Sequence, residues 1–290
     1  MKYIDTIYGE FELSGLVEEL IHTTVFQRLK KVHQGGAIFL ANPQMNLTRF
    51  EHSVGVMLLT KKLGGSIEAQ IAGLLHDISH TAFSHLIDYV LDVGEEDYHE
   101  KRYTEVLNNP EIINVFEKYH LSISQFLNLE KYPLIEYPLP NLSADRIDYA
   151  LRDLHQLKRI SKEEIDWFLE GLLVYENRIV ASSKEHGSWF KSQYSFLVSE
   201  YFNGIENVEI NSIMKIIVKD CLQKGIITEA DFFMDDFYLL EKMNSAFNVG
   251  ERIDRIKNNG LNTEKIKMKS RVVDPEVLVN KRVMKLSELS

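Results

Sequence analysis

Apolar residues recur at three- and four-residue spacing through most of the first 220 positions, beginning with Leu16, Leu20, Ile21, Val25, Phe26 and Leu29. That period is the α-helical one, so the pattern predicts a mainly α chain. Helices are expected over about 52–63, 67–78, 84–92, 98–108, 110–128, 144–157, 161–173 and 189–222, packed as an irregular bundle. The stretch KYPLIEYPLPN, residues 131–141, holds three of the six prolines and cannot continue a helix, so it reads as a connector. Beyond residue 225 the period weakens. RVVDPEVLVNKRVMKLSEL, residues 271–289, has β-branched runs that predict a short hairpin or edge strands. The expected division is therefore a helical core over 1–225 and a small mixed α/β extension over 226–290 packed on it.

Composition narrows the class. Hydrophobic residues make up 44% and charged residues 26% of 290 positions, which is ordinary for a packed globular fold. No run approaches the ~20 apolar residues that span a bilayer, and the start lacks the layout of a signal peptide, so a cytoplasmic protein without membrane contact is expected. Lys plus Arg number 33 against 43 Asp plus Glu, a formal charge of −10. That balance opposes binding to polymeric nucleic acid but leaves a small anion open, since a local cluster of cations outweighs a distant average. The single cysteine, Cys221, cannot form an internal disulfide or a thiolate metal knot, so any metal must rest on the ten histidines and the carboxylates.

Two segments carry chemistry. LLHDISHTAFSH places His76, Asp77, His80 and His85 directly after the strongly apolar 71–75 run. A lone buried His or Asp is more often a hydrogen-bonded structural residue than a ligand, yet so many polar groups beside a buried run need a common reason, and a metal is one. In SADRIDYALRD, residues 143–153, Ser143 is placed to cap a helix on which Asp145, Asp148, Tyr149 and Arg152 follow one another at helical spacing. His52, His76, Asp77 and Asp145 together offer two imidazoles and two carboxylates, a set suited to a divalent cation.

The segments FQRLKKVHQGGA (26–37), RFEHSVGV (49–56), AGLLHDISHTAFSH (72–85), YHE (98–100) and ADRIDYALRD (144–153) resemble, in order, the motifs of HD-domain deoxynucleoside triphosphate triphosphohydrolases. RVVDPEVLV is similar to the end segment of the smaller bacterial members. The resemblance implies the HD-type helical bundle and one divalent ion, commonly manganese, magnesium or iron, with nickel, cobalt or zinc as further options, held by His52, His76, Asp77 and Asp145. It implies that Gln34, Tyr149 and Asp153 line a sugar site, that Arg49 and Arg146 face phosphates, and that His80, His85 and His99 handle protons. It also implies a nucleotide substrate and a homo-oligomer.

The chemistry suits that assignment. A divalent cation makes a nucleophile available at neutral pH, arginines stabilise charge on phosphate oxygens, and an imidazole protonates the leaving oxygen. One stretch departs from the family: SEYFNGIENVEINSIMK, residues 199–215, offers Glu200, Glu206 and Glu209 where relatives bring cations to the phosphates. Three functions follow from the sequence. The first is hydrolysis of a deoxynucleoside triphosphate to nucleoside and tripolyphosphate. The second is hydrolysis of a nucleoside monophosphate or another phosphoester, which the acidic stretch favours. The third is a non-catalytic nucleotide-binding regulatory subunit.

Overall fold

The chain begins with a hairpin that the helical period did not announce. In this computed structural model, which describes residues 1–13, 15–93, 97–258, 266, 269 and 271–289, β1 (Lys2–Asp5) pairs antiparallel with β2 (Gly9–Glu12). The buried Asp5 carboxylate accepts the amides of Ile7 and Tyr8 at 2.8 and 2.9 Å and so fixes the turn, which Gly9 completes at φ +89°. Helices α1 (Gly15–His22) and α2 (Thr24–Gln27) follow, then 3₁₀ turns over 28–31 and 36–40.

Three well-capped helices form the centre. α3 (Arg49–Lys62) starts at a capping box of Thr48 and Glu51, α4 (Ile67–Leu75) at Ser66, and a later helix at Ser143, the cap expected from sequence. Between them lie α5 (Leu86–Val90), α6 (Tyr98–Leu107) and α7 (Pro110–Lys118), before α8 (Ala144–Gln156). α3 packs on both α4 and α8. Gly55 permits the second contact, because a Cβ there would lie 2.0 Å from Asp148 Oδ1 and 2.1 Å from an Arg152 nitrogen.

The second half contains α9 (Lys162–Glu170), the hairpin β3 (Leu172–Tyr175) and β4 (Arg178–Ala181), α10 (Lys184–Phe196), α11 (Ile205–Gln223), α12 (Asp236–Asn244) and α13 (Val249–Asn258). It ends in the hairpin of β5 (Glu276–Val279) and β6 (Arg282–Lys285), as its β-branched runs suggested. β5 pairs parallel with β4, giving a four-stranded sheet of order β3-β4-β5-β6. Both hairpin turns carry two residues at positive φ, Glu176-Asn177 and Asn280-Lys281, as two-residue turns require.

Several expected boundaries move. The single helix over 189–222 is two helices, since the chain passes through a π-helical turn at Leu197–Phe202 and then breaks at Asn203-Gly204. A Cβ on Gly204 would lie 2.4 Å from the Glu200 carbonyl oxygen. The helix expected over 110–128 stops at Lys118, with His120 at φ +56°. The one expected over 161–173 ends at Gly171, and its last residues belong to β3.

Two large apolar cores result, with a small third cluster of Ala181, Val277 and Leu286 beneath the C-terminal sheet. The larger joins α1, α3, α4, α8 and α9, and the smaller gathers α5, α11, α12 and α13 around Phe83, Met214 and Phe232. Asp236, fully buried at the start of α12, accepts from the His33 amide (2.8 Å), His33 Nδ1 (2.7 Å) and the Phe83 amide. No helix among the described residues is long and apolar enough to cross a membrane.

Candidate metal centre and cleft

A cleft of about 950 Å³ opens between elements of the two cores. Eleven of the twelve site residues expected from sequence line it, and the twelfth, His52, is fully buried against Asp145 at its floor.

The centre is assembled from helix ends. His52 projects from the first turn of α3, His76 and Asp77 follow the last residue of α4, and Asp145 sits in the first turn of α8. His52 Nε2 lies 3.3 Å from His76 Nε2, 3.1 Å from Asp145 Oδ1 and 3.5 Å from Asp77 Oδ2. His76 Nε2 lies 3.6 Å from both Asp77 Oδ1 and Asp145 Oδ1. Neighbouring ligands around one octahedral ion at about 2.1–2.2 Å stand roughly 3 Å apart, so these separations match edges of one coordination shell.

The remaining ring nitrogens strengthen the fit. His52 Nδ1 faces Asp148 Oδ2 at 2.8 Å, and His76 Nδ1 donates to the Gly73 carbonyl at 2.7 Å. With the Nδ1 protons so engaged, two Nε2 lone pairs point at one another across 3.3 Å, an arrangement that a shared cation stabilises. Electrostatics agree. Burial alone would depress both histidines, yet hydrogen bonds to Asp145 and Asp148 raise His52, and Asp77 and Asp145 raise His76 to about 10. The surrounding carboxylates therefore favour positive charge at the centre, which a divalent ion supplies. His52, His76, Asp77 and Asp145 fit such an ion.

Arg49 braces the centre, giving one NH1 bond of 2.6 Å to Asp77 Oδ2 and an Nε bond of 3.0 Å to Ser84 Oγ. Arg146 lines the cleft but spends its NH1 on the Tyr137 and Asn141 carbonyls and on Ser143 Oγ. His80 and His99 stack at 3.7 Å with 17° between their planes, and His85 stands edge-on to both. Burial, helped by the charges of Arg49 and His99, holds His80 well below the usual range; burial and His85 hold His99 at about 3. Both are neutral rings. His85 differs, being 28% exposed towards the cleft and 3.2 Å from the buried Asp88 carboxylate.

Opposite lies a wall of Gln34, Tyr149, Asp153, Tyr194, Tyr201 and Phe202. The Tyr149 and Tyr194 hydroxyls share a 2.6 Å hydrogen bond, and the buried Gln34 Oε1 has no partner among the described residues. Burial raises the Asp153 carboxyl to about 7, with Asp148 adding to the shift, so it carries a proton for much of the neutral range.

Sequence reasoning missed several contributors. Asp148 was noted for its spacing but not as the partner of His52; Arg152 anchors it at 2.9 Å and reaches Asp5 at 2.8 Å. Tyr194, Tyr201 and Phe202 lay inside what read as one uninterrupted helix. The acidic stretch is corrected: Glu200, Glu206 and Glu209 are exposed and none lines the cleft. Asn207 and Asn211, on the other face of α11, do.

A helical fold with a His/Asp cluster at the floor of a cleft has the make-up of a metal-dependent enzyme. The HD domain family model matches residues 49–131, which include His52, His76 and Asp77. Uncharacterized protein YdhJ of Bacillus subtilis is 38% identical over 300 residues, covering 100% of this chain and 92% of the relative. The metal-dependent phosphohydrolase cns2 of Cordyceps militaris is 36% identical over 61% of this chain. The deoxynucleoside triphosphate triphosphohydrolase SAMHD1 homolog of Dictyostelium discoideum is 25% identical over 87% of it. The chain spans about half of each of these last two, 52% and 53%. A crystal structure of a hypothetical protein from Aquifex aeolicus shares the fold, with a TM-score of 0.72 and 23% identity over 100% of this chain and 92% of that one. The chain belongs to the HD-domain superfamily and is a metal-dependent phosphohydrolase.

Proposed function

We propose that the substrate is a deoxynucleoside triphosphate, cleaved at the α-phosphorus to nucleoside and tripolyphosphate. The observation that carries this reading is the polar end of the cleft formed by Gln34, Tyr149 and Asp153. The unpartnered Gln34 Oε1 accepts from a hydroxyl, the protonated Asp153 carboxyl donates or accepts, and the Tyr149 ring packs 6.3 Å from that of His52. A cleft of this size suits a whole nucleotide. The relative from Dictyostelium carries this activity in its name, and Glu200, Glu206 and Glu209, which favoured a shorter substrate, lie outside the cleft lining.

In this reading His52, His76, Asp77 and Asp145 hold one divalent ion, which supplies a nucleophile at neutral pH and withdraws charge from a phosphoryl oxygen. Arg49 keeps Asp77 oriented and adds positive charge beside the phosphorus. The oxygen of a water molecule bonds to the α-phosphorus as the bond from phosphorus to the sugar oxygen breaks; His85 gives a proton to that sugar oxygen, and the proton lost by the water restores it. His80 and His99, neutral and stacked, fix the His85 ring by edge contacts.

The test is a screen of nucleoside mono-, di- and triphosphates against the purified protein with Mn, Mg, Fe, Co and Ni, resolving products by chromatography. Deoxynucleoside with tripolyphosphate is expected. Orthophosphate released from monophosphates, with triphosphates untouched, would replace this reading with the phosphomonoesterase one.

A further inference from the structure

Between Asp77 and His85 the backbone twice takes a conformation that suits glycine, and neither residue is one. Phe83 and Ser84 both lie in the left-handed region, at φ +57° and +50°. A side chain is strained there, so each needs a reason to keep one. The turn itself is held from several directions. The Ala82 amide donates to the Phe232 carbonyl at 2.8 Å, the Phe83 amide to Asp236 Oδ1 at 2.6 Å, and the Ser84 amide to the Thr81 carbonyl at 2.9 Å, while Thr81 Oγ1 donates to the Ser84 carbonyl at 3.1 Å. For Phe83 the reason is packing, since its ring is fully buried in the smaller core. Ser84 has no such bulk to bury. What its short side chain brings is a hydroxyl, and it is buried too.

Both capacities of that hydroxyl are used. Ser84 Oγ donates to the His33 carbonyl at 2.7 Å and accepts from Arg49 Nε at 3.0 Å. A hydroxyl has one proton, so the bond to the carbonyl turns the oxygen lone pairs to the arginine. Arg49 in turn gives NH1 to Asp77 Oδ2 at 2.6 Å. Two bonds from one planar guanidinium fix its plane as well as its position. The His33 end is equally firm, because the His33 amide and Nδ1 both donate to the buried Asp236, the carboxylate that also accepts the Phe83 amide. The serine therefore stands between a rigid carbonyl and the cation that braces the metal centre.

We propose that Ser84 is a positioning residue: its hydroxyl sets the plane of the Arg49 guanidinium, and through it the Asp77 carboxylate, and the left-handed turn is kept to put that hydroxyl in place. The proposal goes beyond the nucleotide reading, because it concerns the centre and holds whichever phosphoester is cleaved.

The test measures manganese affinity of the full chain by competition with a chelator, together with the melting temperature of the metal-free protein. Ser84→Ala and Ser84→Gly both remove the hydroxyl, but only glycine relieves the backbone, so Ser84→Gly should melt higher than Ser84→Ala. Manganese affinity should ignore that ranking: both variants are expected to lose at least about fivefold and to agree within about twofold. A merely structural role gives the opposite pattern, with affinity following melting temperature and Ser84→Gly close to the parent. That pattern, or unchanged affinity in both variants, would overturn the proposal. A double-mutant cycle identifies the route. Arg49→Lys keeps the charge but has no nitrogen at the Nε position, so adding Ser84→Gly to it should change manganese affinity by less than about twofold. A further loss of about fivefold in that background would show that Ser84 acts on the centre without Arg49, and would overturn the proposal as well. Should Ser84→Ala fail to fold, Ser84→Gly and the cycle built on it carry the test.

Discussion

His52 Nδ1 and Asp148 Oδ2 lie 2.8 Å apart, both side chains wholly excluded from solvent, 96 residues distant in sequence. Asp148 does not line the cleft; it stands behind the histidine, fixing its ring angle and tautomer so that Nε2 faces His76, Asp77 and Asp145. Arg152 and, through it, Asp5 hold that carboxylate in turn. Such outer partners typically govern metal affinity by 10–100-fold. Asp148→Asn, which keeps an acceptor but removes the charge, is expected to weaken manganese binding by at least about tenfold, measured by competition with a chelator. Unchanged affinity in a folded variant would show that His52 is held by packing alone.

The asymmetry between Asp145 and Asp148 shows what was legible in the sequence. Their shared helix, its Ser143 cap and its polar stripe all follow from local spacing, and so does the cluster after α4, where polarity abruptly interrupts an apolar run. Which carboxylate faces the ion and which stands behind the histidine depends on the α3–α8 contact at Gly55, a relationship between residues far apart in sequence. The missed strands have a different cause: β1 to β4 are four residues each, too short for alternation to stand out.

Asp153 offers a pH test that needs no substrate. Burial lifts its carboxyl from the ordinary value near 3.8 to about 7. A group raised on folding is at no disadvantage below its unfolded pKa, and stability is lost as pH rises from about 4 through about 7, reaching at most roughly 4 kcal/mol. In metal-free protein, Asp153→Asn should therefore melt higher than the parent at pH 8, and the gap should close by pH 4. A difference independent of pH would mean that the carboxyl is ionised throughout.

Glu206 and Glu209 provide a control on the substrate argument. Were they beside the phosphate tail, replacing both with lysine would raise kcat/KM for triphosphates relative to monophosphates by about tenfold or more. Both are exposed and lie outside the cleft lining, so the expected ratio at low salt is unchanged within about twofold. A larger rise would mean that the phosphate chain runs along the exposed face of α11.

The proton donor can be separated from its neighbours by varying the leaving group. His80 and His99 are kept neutral by burial, so neither holds a proton to give near pH 7. His85 opens to the cleft with its Nδ1 3.2 Å from the buried Asp88 carboxylate, and Asp88 itself is tied to the Tyr98 amide at 2.9 Å. A nucleoside alkoxide is a poor leaving group and depends on protonation; a nitrophenolate leaves without it. His85→Asn is therefore expected to lower kcat at least about 100-fold for the nucleotide but less than about tenfold for p-nitrophenyl phosphate. Equal losses on both substrates would assign His85 to holding the phosphate, and a loss confined to His99→Asn would move the proton to the stacked pair.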